Sequence, residues 1–98
     1  MNMQAMLKQA QKMQKDMLDT KNEIDNTEFI GESSLVKVTL MGNKTVKDVK
    51  INLDGSLDKE DVEMLQDMLV IAFNDACKKI DEETEKKMSK YGNVPGLF

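Results

Sequence analysis

The stretch Leu35–Leu53, LVKVTLMGNKTVKDVKINL, decides the fold. Val36, Val38 and Leu40 alternate with Lys37 and Thr39, the two-residue period of a strand with one buried face. Gly42-Asn43 is a two-residue hairpin signal, so the chain returns as a second strand over Lys44–Leu53. Val46 is out of phase with Val49, Ile51 and Leu53, and a bulge near Asp48 would restore the alternation. Upstream, Phe29, Ile30 and Gly31 mark a short strand over Glu28–Glu32, closed by the turn residues Ser33 and Ser34. The centre of the chain therefore reads as a three-stranded antiparallel meander.

Both flanks are helical. Before the strands, Met3, Met6, Ala10, Met13, Met17 and Ile24 repeat at a/d heptad spacing over Met3–Asp25, broken only by Thr20. After them, Asp58 is a candidate N-cap with Asp61 three residues on. Val62, Leu65, Leu69, Ala72, Phe73, Ala76, Ile80 and Met88 give the second helix a broad apolar face, running to about Lys90. The predicted order is α-β-β-β-α, an α+β fold with residues 1–92 as one domain and 93–98 as an extended tail containing Pro95-Gly96-Leu97-Phe98. The first helix, about 35 Å long, outreaches a small three-stranded sheet. A homodimer that joins sheet edges and pairs long helices is the simplest remedy. Met6, Ala10, Met13, Met17 and Phe73 are the residues expected to pack in it.

Composition narrows the function. The 98 residues suffice for one domain, and the nine Met carry much of the apolar volume. The single Cys77 reads as a small buried hydrophobe, and one cysteine makes no disulfide framework. The longest apolar run, Met68–Phe73, is too short to span a membrane, and no signal-peptide pattern opens the chain, so a cytoplasmic location without membrane contact is expected. There is no His, no glycine-rich phosphate loop and no CxxC. The acidic run Asp81, Glu82, Glu83 and Glu85 points in several directions along a helix rather than converging on an ion. The reading is a non-enzyme with no cofactor, no metal and no small-molecule substrate.

The net charge of −4 is unevenly spread. Residues 1–15 hold three Lys and no acid, whereas residues 54–98 hold six Lys and eleven acids. The second helix obeys the helix dipole, with acids at Asp58, Glu60, Asp61 and Glu63 and lysines at 78, 79, 86, 87 and 90. The first helix opposes it. Lys8, Lys12 and Lys15 occupy its N-terminal half, and Asp16, Asp19, Glu23 and Asp25 its C-terminal half. That order costs a few tenths of a kcal/mol per charge. It leaves three readings of the lysine stripe: an anionic partner, an acidic protein surface, or plain solvation. Lys37, Lys44, Lys47 and Lys50 form a second candidate patch, for which protection of a sheet face against aggregation is the simpler account. Asn74 and Asp75, poor helix formers in mid-helix, suggest a specific hydrogen bond to the sheet or across a dimer.

Several segments resemble the YbaB/EbfC family of bacterial nucleoid-associated proteins. They are Met6–Gln14 (MLKQAQKMQ), Val36-Lys37-Val38-Thr39 with Gly42 and Val49-Lys50-Ile51, Glu63–Asp67, Ala72-Phe73-Asn74-Asp75-Ala76, and the ending Pro95-Gly96-Leu97-Phe98. The resemblance implies a homodimer with paired sheets and projecting helices. It also implies binding of double-stranded DNA without enzymatic activity, a change in DNA conformation, and a role at the nucleoid and in gene expression. Lys8 and Lys12 fall in the matching motif; Lys15 follows from helical geometry, and Lys37, Lys47 and Lys50 are secondary candidates. Two departures stand out: the usual glycine-rich stretch between the first two strands is reduced to Gly31-Glu32-Ser33-Ser34, and there is no Arg. The alternative is a homodimeric protein-interaction module that grips a partner through its Met-rich helix.

Overall fold

The computed structural model describes residues 2–91. Its elements are α1 (Met3–Asp25), β1 (Glu28–Ser33), β2 (Val36–Met41), β3 (Val46–Ile51), α2 (Lys59–Met88) and a closing 3-10 turn, Ser89–Tyr91. Gly92 and the expected tail 93–98 lie outside the described residues. The sheet is antiparallel throughout, in the order β1-β2-β3.

The strands bear out the alternation and correct its edges. Val36, Val38 and Leu40 are buried, and Lys37 is exposed. Thr39 pairs with Asp48 while Leu40 pairs with Val46, so Lys47 is the extra residue of a bulge. It places Val46, Val49 and Ile51 on one face of β3. The hairpin loop holds three residues rather than two. Met41 N–H donates to Thr45 O and Lys44 N–H to Met41 O, both at 2.8 Å, and Lys44 takes the left-handed conformation at φ 69°. Gly42 is needed for a different reason: a Cβ there would run into the carbonyl of Ile24, so the loop lies directly on the end of α1.

Helix α2 covers β1 and β2 but not β3. Its contact line is Leu65, Ala72, Ala76 and Ile80, all buried against Val36, Val38 and Leu40. The small residues are dictated by close approach. A Cβ on Gly31 would meet Ala72 O, and would lie 2.6 Å from Ala76 N and 2.9 Å from Ala76 Cβ. Phe73 and Cys77 flank this core and are half-buried. Val62, expected on the apolar face, is 41% exposed. Asp58 caps α2 as expected, its N–H donating to Asp61 Oδ2 at 2.9 Å. Along α2, Lys79 pairs with Asp75 at 3.3 Å and Lys87 with Glu83 at 3.6 Å, and Lys78 lies 4.0 Å from Glu82.

A second, smaller cluster joins the helices: Met17 and Ile24 of α1 against Met88 of α2, with Phe29 and Tyr91 alongside. The helices run antiparallel there, so their N-termini point to opposite ends of a body 71 × 19 × 16 Å in extent.

Candidate nucleic-acid interface

Among the described residues, the part of α1 before Met17 is exposed to solvent. Of the heptad stripe, Met17 and Ile24 are buried, but Met3 is 78% exposed, Met6 50% and Met13 44%, and Ala10 is exposed as well. The helix starts cleanly, with Gln4 N–H donating to Asn2 Oδ1 at 3.1 Å. It has no acid in its first turn and no base in its last, and Lys21 is tied to Asp25 at 2.6 Å. Lys8, Lys12 and Lys15 are all exposed on this projecting part, within about 60° of one another around the axis at 3.6 residues per turn. They make none of the ion pairs found among the described residues. The result is a cationic stripe that takes part in no ion pair among the described residues.

The sheet lysines divide into two kinds. Lys44 reaches Asp81 at 3.1 Å, and Lys47 is paired with Glu28 across the sheet. Lys37 and Lys50 stand directly opposite each other on the outer face of β2 and β3. Neither joins an ion pair among the described residues, and like charges facing across a ladder repel. The structure therefore brings Lys37 and Lys50 together and leaves Lys47 engaged by a carboxylate.

One neighbour of the α1 stripe is not visible as such in the sequence. The end of α2 returns to α1, so that Lys90 and Tyr91 share a hollow of about 410 Å³ with Gln9, Lys12, Met13 and Asp16. In the sequence Lys90 is one of five lysines that suit the C-terminal half of α2; only the antiparallel packing of the helices puts it beside Lys12.

The expected mid-helix hydrogen bond belongs to Asp75. Its Oδ2 accepts from Glu32 N–H at 3.1 Å, and Lys79 Nζ donates to Ile30 O at 2.7 Å. The Glu32 amide first, and then Lys79, hold the Asp75 carboxyl below the usual carboxylate range. Asn74 points to solvent. These groups join β1 to α2 and do not converge on a ligand. No group of three or more His, Cys, Asp or Glu among the described residues is placed to hold a metal ion. No helix is long and apolar enough to cross a membrane among them.

Comparison with known proteins places this arrangement. The model of the YbaB/EbfC DNA-binding family matches residues 1–94. A nucleoid-associated protein of Enterococcus faecalis is 49% identical over 99 residues, covering 98% of this chain and 94% of that protein. A nucleoid-associated protein of Lactococcus lactis subsp. cremoris is 50% identical over 93 residues, 93% of each. The crystal structure of the uncharacterized Helicobacter pylori protein HP0035 shares the fold, with a TM-score of 0.73 at 22% identity over 95% of this chain and 99% of that one. The chain belongs to the YbaB/EbfC DNA-binding family.

Proposed function

We propose that this protein is a non-enzymatic, nucleoid-associated DNA-binding protein that acts as a homodimer in the bacterial cytoplasm. It holds double-stranded DNA by its phosphates and changes the path of the duplex, with consequences for nucleoid organisation and gene expression. The observation that carries the reading is the projecting stripe of Lys8, Lys12 and Lys15, exposed and in no ion pair among the described residues. Family membership and the nucleoid-associated relatives support it. All fourteen basic residues are Lys, which contacts phosphate as a point charge and lacks the fork that reads guanine edges, so sequence preference is weak. Lys37 and Lys50 are secondary contacts; Lys47 must first leave Glu28.

The dimer is supported by apolar surface that is exposed among the described residues. Val46, Val49 and Ile51 of β3 are 48%, 39% and 44% exposed on the face that α2 shields elsewhere. Ile71 and Val70 of α2 are 56% and 59% exposed. A second copy set against this edge and helix buries both.

The test is a titration of duplex DNA at several salt concentrations, with wild type beside the triple variant Lys8→Gln, Lys12→Gln, Lys15→Gln. The wild type should show a steep fall of log K with log salt, and the triple variant should lose about 2.7 from that slope for each protomer that contacts the duplex, at about 0.9 per phosphate contact. Equal slopes overturn the assignment of the stripe. The exposed seam Met3, Met6 and Met13 favours a second reading, a protein-interaction module. Stoichiometric capture of one protein, with no duplex binding at physiological salt, would establish that reading instead.

A further inference from the structure

Tyr91 is held at the junction of the two helices. Its hydroxyl lies 3.3 Å from Thr20 Oγ1 of α1, and its ring packs with Met17, Ile24 and Met88. Lys90 Nζ sits over that ring, 5.0 Å from its centre. A cation over an aromatic face is attracted by the ring quadrupole, which limits where the ammonium sits while leaving its donors free. Around α1, the hollow shared by Lys90 and Lys12 lies between the apolar seam, represented by Met13, and the side that carries Lys8 and Lys15. Asp16 also lines the hollow, so its balance of charge is one net positive.

We infer that Lys90 is a fourth phosphate contact of the α1 stripe and that Tyr91, tied to Thr20, is the positioning residue that presents it. This rests on the DNA-binding reading above. A single projecting helix offers its lysines along one line. The end of α2 adds a cation beside that line, so one duplex strand meets two helices whose spacing is set by the Met17–Met88 contact. The backbone phosphates of duplex DNA are the matching ligand, since Lys12 and Lys90 supply point charges at neighbouring positions. Glu23 and Glu83 explain why the next lysine along, Lys87, is excluded: it lies 3.7 Å from the first and 3.6 Å from the second.

The experiment measures binding of the full chain to a mixed-sequence duplex by fluorescence anisotropy between about 50 and 200 mM salt, where each phosphate contact contributes about 0.9 to the slope. For each protomer that contacts the duplex, Lys90→Gln should lower the slope by about 0.9, which shrinks the affinity lost across that range by about threefold, and Lys90→Arg should keep the wild-type slope. Tyr91→Phe keeps the ring and removes the hydroxyl, and Thr20→Val removes the same bond from the other side. Each should weaken binding at the low-salt end and have no further effect when combined with Lys90→Gln. Thermal melting of the variants separates this from loss of the fold. If Lys90→Gln keeps the wild-type slope while Lys12→Gln lowers it, the inference fails and the DNA-binding reading stands. If Tyr91→Phe and Thr20→Val weaken binding as much with Lys90→Gln as without it, the positioning role of Tyr91 is wrong. If the wild type shows no duplex binding, both readings fall.

Discussion

The backbone N–H of Glu32 donates to the carboxylate of Asp75 at 3.1 Å, and this bond fastens the end of β1 to the middle of α2. One turn on, Lys79 returns the link by donating to Ile30 O at 2.7 Å, while its ammonium stays 3.3 Å from Asp75. An edge strand has backbone groups that the ladder leaves unpaired. Here two of them are taken up by side chains of the helix that covers the strand, which keeps β1 from serving as a template for another chain.

Asp75→Asn should therefore lower the melting temperature at neutral pH, with the effect confined to conditions in which the wild-type carboxylate is ionised. Its folded pKa is depressed below the ordinary value of 3.8, so its contribution is complete above that value. The contribution is lost as pH falls through the lower, folded pKa. Melting curves at neutral pH and well below 3.8 check this. The gap between wild type and variant should close in acid, and a gap that is constant with pH would show that the charge of Asp75 plays no part.

The three described glycines should respond unequally to alanine. Gly31→Ala drives a methyl into the backbone of α2 at Ala72 and Ala76, and Gly42→Ala drives one into the carbonyl of Ile24. Neither obstacle is a side chain that can swing away, so each should cost about 3 kcal/mol or more. Gly55 has φ of +123° but open space around its missing Cβ, so Gly55→Ala should cost only about 1 kcal/mol from backbone strain. Urea midpoints at unchanged m-value provide the ranking.

What could be read from the chain and what could not follows from the range of the interactions. The period of Val36, Val38 and Leu40 and the cap Asp58 are set by neighbours in sequence, and strands and helices emerge where local rules put them. The bulge was legible because a phase break between Val46 and Val49 has one cheap repair. The hairpin loop was not, since Gly42-Asn43 is a two-residue turn by local chemistry alone. Contact of Gly42 with Ile24, eighteen positions away along the chain, makes Gly42 a packing residue and leaves Lys44 to take the positive φ. The lysine stripe was legible from its charge order, whereas Lys90 joins it only through the antiparallel contact of Met17 with Met88. Likewise Lys44 and Lys47 looked equivalent to Lys37 and Lys50 until the fold supplied Asp81 and Glu28.

The open face of β3 makes a prediction about assembly. Val49 pairs with the fully buried Val38, yet is itself 39% exposed. Val49→Glu should therefore leave the protomer folded by circular dichroism and abolish self-association in sedimentation or light scattering. A wild type that runs at the protomer mass of 11.1 kDa at micromolar concentration would remove the dimer from the proposed function.

The facing pair Lys37 and Lys50 allows stability and binding to be separated in one substitution. Lys50→Glu turns a repulsive cross-strand pair into an attractive one on the outer face of the sheet, which should stabilise the fold by roughly 0.2–1 kcal/mol. If that face touches DNA, the same change removes one phosphate contact and adds a repulsion, and the salt slope should fall by about 0.9 or more. A gain in stability with a loss of binding means that the two lysines are kept together for the ligand at the expense of the sheet. A gain in stability with unchanged binding confines the DNA contact to the projecting helices and leaves the sheet lysines as protection against edge-on aggregation.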